Sequence, residues 1–240
     1  MIYVGLDDTD TLDAPGTNQL ARHIVRELAD KYHGRLILRH QLLEDPRVPC
    51  TRKNGCASML LEPCEARWSI PSLLIERLRQ IILPWCPHGS DPGLCVTTSV
   101  PPAVTSWGLR CQRELVTQRE ARQIAASHDI YLEGLGGTED GVIGALAAIG
   151  LMVTHNDGRV VHLGSEGQNL CDVTGVLSFD QILSRGVHEI RRSDTNEPVT
   201  AGMFDIGKHL RPNYRNGRVV LFVARSADNA ECDWVAERIK

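Results

Sequence analysis

"VGLDDTDTLDAPGTNQLARHIV", residues 4–25, opens on a short apolar run, sets carboxylates at Asp7, Asp8 and Asp10, turns at Pro15-Gly16 and enters an amphipathic pattern. Residues 2–7 read as a buried strand, and residues 17–32 as a helix whose Leu20, Ile24, Val25 and Leu28 share a face. The stretch is therefore a strand, an acidic turn and a helix. Like charges this close resist joint ionisation, so the turn needs a compensating cation or a set of hydrogen-bond donors.

The same alternation continues outward. Strand-like runs at 35–42 and 56–61 flank "DPRVPCTRKNG" at 45–55, and a helix with Pro71 in its first turn runs to about residue 83. Residues 94–100 read as a strand after "HGSDPG", and 117–127 as a helix opened by the capping-box pair Thr117 and Glu120. "YLEGLGGTEDGVIGALAAIGL", residues 131–151, reads as a strand end, a glycine-rich loop and an apolar helix of small residues. Beyond it the pattern predicts a mixed sheet layer with a short helix near 178–183, a terminal helix from about 231, and a linker at "RRSDTNEPVT". The chain is expected to be an α/β or α+β sandwich. Its 240 residues, 42% of them hydrophobic, suffice for one large domain or two intertwined lobes.

The formal net charge of -4 gives no global attraction to nucleic acid or to an anionic membrane, though it leaves room for a local basic face. No apolar run approaches the roughly 20 residues of a membrane span, and the N-terminus shows no leader pattern, so a cytoplasmic protein is expected. The eight cysteines, at 50, 56, 64, 86, 95, 111, 171 and 232, are scattered singly and read mostly as reduced core residues. Cys86 and His88, with Cys95 nearby, supply one ligand pair without a second, which falls short of a structural zinc pattern.

Four loops carry residue types suited to chemistry. Three carboxylates in four positions after an apolar strand point to a magnesium or phosphate-handling site rather than a decorated turn, because Mg²⁺ takes one or two carboxylates and completes its shell with water and phosphate oxygens. Thr17, at a helix start, reads either as a helix N-cap or as part of an anion site. Arg47, Arg52 and Lys53 beside Thr51 and Asn54 suit phosphate oxygens, or form a solvated basic loop. The loop Gly134–Gly141 offers backbone N–H groups to a phosphate, but Glu139 and Asp140 place negative charge where that phosphate would sit.

Taken together, "GLDDTDT" with the following threonine, "PRVPCTRKNG", "SDPG" and "GVIGALAAIG" occur in an order that resembles the catalytic region of the archaeal tRNA-isoleucine 2-agmatinylcytidine synthetase family, over roughly residues 3–61 and 90–151. The resemblance implies an α/β (α+β) fold in which a kinase-like domain is interwoven with a ferredoxin-like subdomain. It assigns residues 1–165 to an ATP- and Mg-binding region, with 62–90 open to assignment to a second lobe. Residues 166–240 are then a mixed α/β region, packed into the same fold or apart from it. It further implies that Asp7, Asp8 and Asp10 hold Mg²⁺ and ATP phosphates and that Thr17 handles the phosphoryl group. Thr51, Arg52, Asn54, Gly55, Asp91, Gly93, Gly136 and Gly141 would contact the nucleotide.

Departures from the family are "APGTN" in place of Gly-Met-Cys-Thr-Thr, Lys53 in place of a glycine, and Asp140 where a basic residue is expected. The family's OB-fold and zinc-ribbon parts have no counterpart after about residue 151. The expected function is an ATP- and Mg²⁺-dependent phosphotransferase or ligase-like enzyme on a small-molecule acceptor. The alternatives are a catalytic subunit of tRNA cytidine modification with a separate RNA-binding partner, and a non-catalytic nucleotide-binding module. Strong tRNA binding is not expected of the isolated chain, and a homodimer is compatible with the sequence.

Overall fold

The structure is a computed structural model and describes residues 1–51, 53–164, 168–227 and 231–239. The first part of the chain runs β1 (Ile2–Asp7), α1 (Thr17–Glu27), β2 (Tyr32–Arg39), β3 (Ala57–Pro63), α2 (Pro71–Trp85), β4 (Gly93–Thr97), α3 (Pro102–Cys111), α4 (Gln118–Ser127), β5 (Tyr131–Gly134) and α5 (Gly141–Met152). It continues with β6 (Arg159–Leu163), β7 (Gln168–Asn169), β8 (Val176–Ser178), α6 (Phe179–Leu183), β9 (Glu189–Arg192), β10 (Met203–Asp205), β11 (Asn213–Arg215), β12 (Arg218–Arg225) and β13 (Trp234–Ala236).

Strands β4, β1, β3 and β2 lie side by side in that order, each antiparallel to its neighbour. With α1 and α2 as crossovers this is the split βαβ arrangement of a ferredoxin-like unit. Alternation explains how β1 is used: Ile2, Val4 and Leu6 enter one core with Leu20, Ile24, Leu74 and Leu78 of the two helices. Gly5 points to the opposite face, where α5 lies. That face is covered by α3, α4 and α5, whose Trp107, Ala121, Leu146 and Ile149 form a second core. Helix α5 is buried almost all round, as its run of small and apolar residues demands.

The sheet continues from β2 through β6, β11, β12, β13 and β10 to β8, while β5 extends its other end. A third core, with Leu38, Val160, Phe204, Leu221 and Trp234, underlies this half. Here the expected terminal helix is instead strand β13. Cys232 and Trp234 are buried while Asp233 and Val235 are exposed, a period of two that pairs with β12. The expected linker at 191–200 also takes another form. Arg191 bridges Pro198, Arg192 N donates to Glu197 O at 2.9 Å, and Arg192 pairs with Asp194, so the polar run folds back as a turn on β9. Helix α1 ends at Glu27 rather than residue 32, because Tyr32 already begins β2. The anticipated capping box forms, Thr117 and Glu120 closing it on α4, and a second one, Ser178 with Gln181, opens α6. No helix among the described residues is long and apolar enough to cross a membrane.

Helix α5 reaches the sheet at backbone distance. A Cβ on Gly5 would land on the Ala145 carbonyl oxygen, and one on Gly93 would land on the Gly141 carbonyl group. Neither obstacle is a flexible side chain, so relief requires helix and strand to separate. Gly5→Ala is expected to destabilise the protein by about 3 kcal/mol or more, measured as a lower urea midpoint.

Candidate functional site

Strand β1 delivers Asp7 at its end, and the chain then turns sharply. Asp8 adopts φ 50°, a left-handed conformation that Asp tolerates better than most residues. The turn is tied inward by threonines. Buried Thr9 donates from its Oγ1 to Thr17 Oγ1 at 3.1 Å, and Thr17 Oγ1 donates to Asp10 Oδ1 at 3.4 Å. The Thr51 hydroxyl also hydrogen-bonds the Asp10 carboxylate. Thus the "TRKNG" loop and the start of α1 converge on one carboxylate of the acidic turn.

Charge is concentrated here. Burial, with Asp8 and Asp10 beside it, pushes the Asp7 carboxyl up to about 7 against the pull of the Asp8 backbone N–H and of Arg39. Burial, followed by the charges of Asp91, Asp10 and Asp140, pushes Asp8 up to about 6. Asp10 is raised by burial, in part offset by its bonds from Thr17 and Thr51. A cation in the turn would relieve all three.

A cavity of about 650 Å³ contains most of the expected site. Asp7, Asp8, Asp10, Thr17, Thr51, Asn54, Gly55, Asp91 and Gly141 all line it. Gly93 and Gly136 do not, and Arg52 lies outside the described residues. Several of the lining groups are already engaged. Asp91 takes Thr138 N at 2.7 Å and Thr138 Oγ1 at 2.8 Å, which fastens the glycine loop to β4. Asn54 Nδ2 donates to Leu43 O at 2.8 Å, so its amide shapes the loop. Arg47 is paired with Asp45 at 2.7 Å.

Thr17 is not the helix N-cap. That position is Gly16, without a side-chain cap, and Thr17 opens the helix as its first residue. The backbone N–H groups of Gln19 and Leu20 bond Gly16 O, whereas those of Thr17 and Asn18 have no acceptor among the described residues. They border a neighbouring cavity of about 680 Å³ that also holds Asp10, Arg39, Thr51 and Lys53. The start of α5 offers no such opening. At the start of α5, Gly141 N bonds Asp91 O, Val142 N bonds Glu139 O and Ile143 N bonds Asp140 O. The N–H groups expected to receive phosphate there are consumed by the loop itself.

The turn meets magnesium's needs in kind. Among the described residues no group of three or more His, Cys, Asp or Glu forms a ready-made metal cluster. Mg²⁺ does not ask for one: two hard carboxylates suffice when phosphate oxygens and water complete the octahedron. The cysteines sort unevenly: Cys56, Cys95, Cys111 and Cys232 are buried, but Cys50 and Cys64 are exposed. Burial raises the Cys95 thiol well above its ordinary value, and burial followed by Asp10 and Asp8 raises Cys86 to about 11.

One assembly has no counterpart in the sequence reading. His40 Nδ1 lies 2.6 Å from Asp157 Oδ1 and His40 Nε2 lies 2.8 Å from Ser58 Oγ, while Gln112 Nε2 donates to Asp157 Oδ2 at 2.9 Å. Burial alone would raise Asp157, but the His40 bond and charge, with Gln112, hold it below its ordinary value. His40 and Ser58 are both 0% exposed, so no substrate reaches the serine. The trio is a buried strut between β3 and the loop before β6. Its members lie at positions 40, 58 and 157, with no spacing that would signal them.

The fold and cavity define a mixed α/β protein whose ferredoxin-like sheet presents an acidic, nucleotide-sized site. No family model matches the chain. Over 154 residues it is 29% identical to the tRNA(Ile2) 2-agmatinylcytidine synthetase TiaS of Pyrococcus horikoshii, covering 62% of this chain and 35% of that protein. Over 160 residues it is 27% identical to an uncharacterized protein of Methanocaldococcus jannaschii, covering 65% of this chain and 51% of that one. Its fold is similar to that in the crystal structure of the TiaS–tRNA(Ile2)–ATP complex, with a TM-score of 0.53 at 22% identity over 62% of this chain and 36% of that one. A crystal structure of a tRNA fluorescent labeling enzyme gives 0.52, also at 22% identity, over 62% of this chain and 35% of that one. The chain thus resembles a TiaS-like region and shares its fold, while spanning about a third to a half of the length of these curated relatives.

Two outcomes are expected. Because the folded pKa of Asp7 and of Asp8 exceeds the unfolded value of about 3.9, folding takes up protons between about pH 4 and 7 and stability falls as pH rises through that window. In metal-free buffer the slope should approach roughly 1.4 kcal/mol per pH unit per proton, and Asp7→Asn should flatten it in denaturant titrations. His40→Leu strands Ser58 and Asp157 without their partner and should cost about 3 kcal/mol by the same measurement.

Proposed function

We propose that the chain supplies the ATP-handling centre of an RNA-modifying enzyme, activating an acceptor by phosphoryl or nucleotidyl transfer. The observation that carries this reading is the convergence of Asp7, Asp8, Asp10, Thr17 and Thr51 in one cavity beside the open N-terminus of α1. In support, the similar Pyrococcus protein is named a tRNA(Ile2) 2-agmatinylcytidine synthetase, and the fold likeness includes its complex with tRNA(Ile2) and ATP. With about a third of that protein's length covered, an RNA-binding part on a separate chain or segment belongs to the same proposal.

In this reading Asp8, with Asp7 or Asp10 as second carboxylate, holds Mg²⁺. Held there, Mg²⁺ would supply charge neutralisation for the phosphate oxygens. The N–H groups of Thr17 and Asn18 receive phosphate oxygens at the positive end of α1, and Lys53 adds a cation to the same wall. Thr17 Oγ1, whose proton is directed at Asp10, positions the transferring group. A small-molecule acceptor is a second reading, favoured by the volume of about 650 Å³, which accommodates a compact acceptor.

Calorimetric titration with ATP should show binding that depends on Mg²⁺, and Asp8→Asn should weaken it about tenfold or more. Unchanged Mg²⁺-dependent affinity in the folded variant would reject the site. Thr17→Ala should cut ATP turnover about 100-fold or more while nucleotide binding persists, and Thr17→Ser should keep part of it. Since Thr17 caps nothing, its loss should cost only about 1 kcal/mol of stability. Chromatography of the nucleotide product then separates the two transfers: ADP marks phosphoryl transfer and AMP marks nucleotidyl transfer.

A further inference from the structure

A third cavity, of about 610 Å³, adjoins the two already described: Lys53 lines all three, and Arg39 lines the second and third. Its cations are Arg39, Lys53, Arg159, Arg211, Arg215 and Arg238, and its carboxylates are Glu44 and Asp157. Asp157 already has His40 and Gln112 on its two oxygens. Arg39, Arg159, Arg211 and Arg238 form no ion pair among the described residues. The sheet forces this crowding. Arg39, at the end of β2, sits opposite Arg159, at the start of β6, and Arg159 sits opposite Asn213, two residues beyond Arg211.

Like charges directly across paired strands destabilise a sheet. The cost here is visible. Burial, reinforced by Arg39, Arg211 and Arg238 and opposed by Cys171, lowers the Arg159 guanidinium to about 10. Arg159 Nε is itself buried without a hydrogen-bond partner. Such idle donors are rare in native folds, and planar guanidinium groups match phosphate oxygens two at a time.

We propose that this groove binds phosphate of the acceptor, so that the acceptor reaches from the arginines past Lys53 to the acidic cavity. The inference rests on the ATP site proposed above for the role of the bound group, though not for its binding. The chemistry required is a phosphate ester, carried either by a small metabolite or by an RNA backbone.

Titration in EDTA isolates the groove, because without a cation the acidic cavity repels phosphate. The probes are inorganic pyrophosphate and a single-stranded RNA octamer without terminal phosphate. The wild-type chain should bind at least one of them, and Arg211→Gln/Arg238→Gln should weaken that binding about tenfold or more. Asp8→Asn should leave it unchanged. Weakening confined to pyrophosphate identifies a small ester, and weakening of RNA binding identifies the backbone. The double variant should keep Mg²⁺–ATP affinity; absence of Mg²⁺–ATP binding in the wild-type chain would count against the proposed function and not against the groove. Removing two repelling charges should not lower the melting temperature, and Arg238→Gln alone, at an exposed position, serves as a second variant. Absence of metal-free binding of both probes, or equal affinity in the folded variants, overturns the proposal.

Discussion

The backbone contact between α5 and the β1–β4 pair governs the rest of the molecule. With side chains at Gly5, Gly93 and Gly141 the helix would stand off the sheet, because each would strike main-chain atoms of the facing element. Seated as it is, α5 brings the glycine loop to the end of β4, where Asp91 fastens it through Thr138. The same seating packs Gly144 against the Asp7 carboxylate and removes water from it. Desolvation is the largest influence on Asp7, so the electrostatic tension of the acidic turn is a direct product of helix packing.

That tension has an opposite pole. The acidic turn and the arginine groove share the wall formed by Arg39 and Lys53. The formal net charge of -4 thus conceals two local fields of opposite sign. Arg39 stands between them: it lowers the proton affinity of Asp7 and Asp10 and depresses the guanidinium of Arg159. A ligand carrying both a metal-bound polyphosphate and a second phosphate would satisfy both poles at once. Ligands with only one of these would leave the other pole unrelieved.

How much of this could be read in advance depends on how local the cause was. Strand β1 and the Thr117–Glu120 capping box rest on neighbouring residues and were legible, as was the acidic turn, where three carboxylates fall within four positions. Helix α3 falls in the stretch between the expected strand at 94–100 and the expected helix at 117–127, to which the sequence pattern assigns no element; Pro102 opens it at its first turn. Strand β13 read as a helix because three residues are too few to show a period. The His40–Ser58–Asp157 strut and the arginine cluster are products of register across β2, β3 and β6, and register between distant strands leaves no trace in local spacing. Arg39 and Arg159 are 120 positions apart in the chain yet directly opposed in the sheet.

Two helix N-termini approach the acidic cavity, and only one retains the means to hold an anion. The N-terminus of α5 looks the more suitable in sequence, since it follows a glycine-rich loop. Its first three N–H groups are spent on Asp91, Glu139 and Asp140 carbonyls, and the Asp140 side chain at its mouth adds a repelling charge. The N-terminus of α1 begins with Gly16, which offers no capping side chain, so the Thr17 and Asn18 N–H groups remain open beside Lys53. A residue with a capping oxygen at position 16 would engage the Asn18 N–H and crowd the opening. On this reading the unfilled cap is functional: the helix forgoes roughly a few tenths of a kcal/mol, the difference between glycine and a capping side chain, and keeps its donors for a ligand. The glycine loop, by the same logic, is a brace that sets the depth of Asp7 and leaves phosphate to α1.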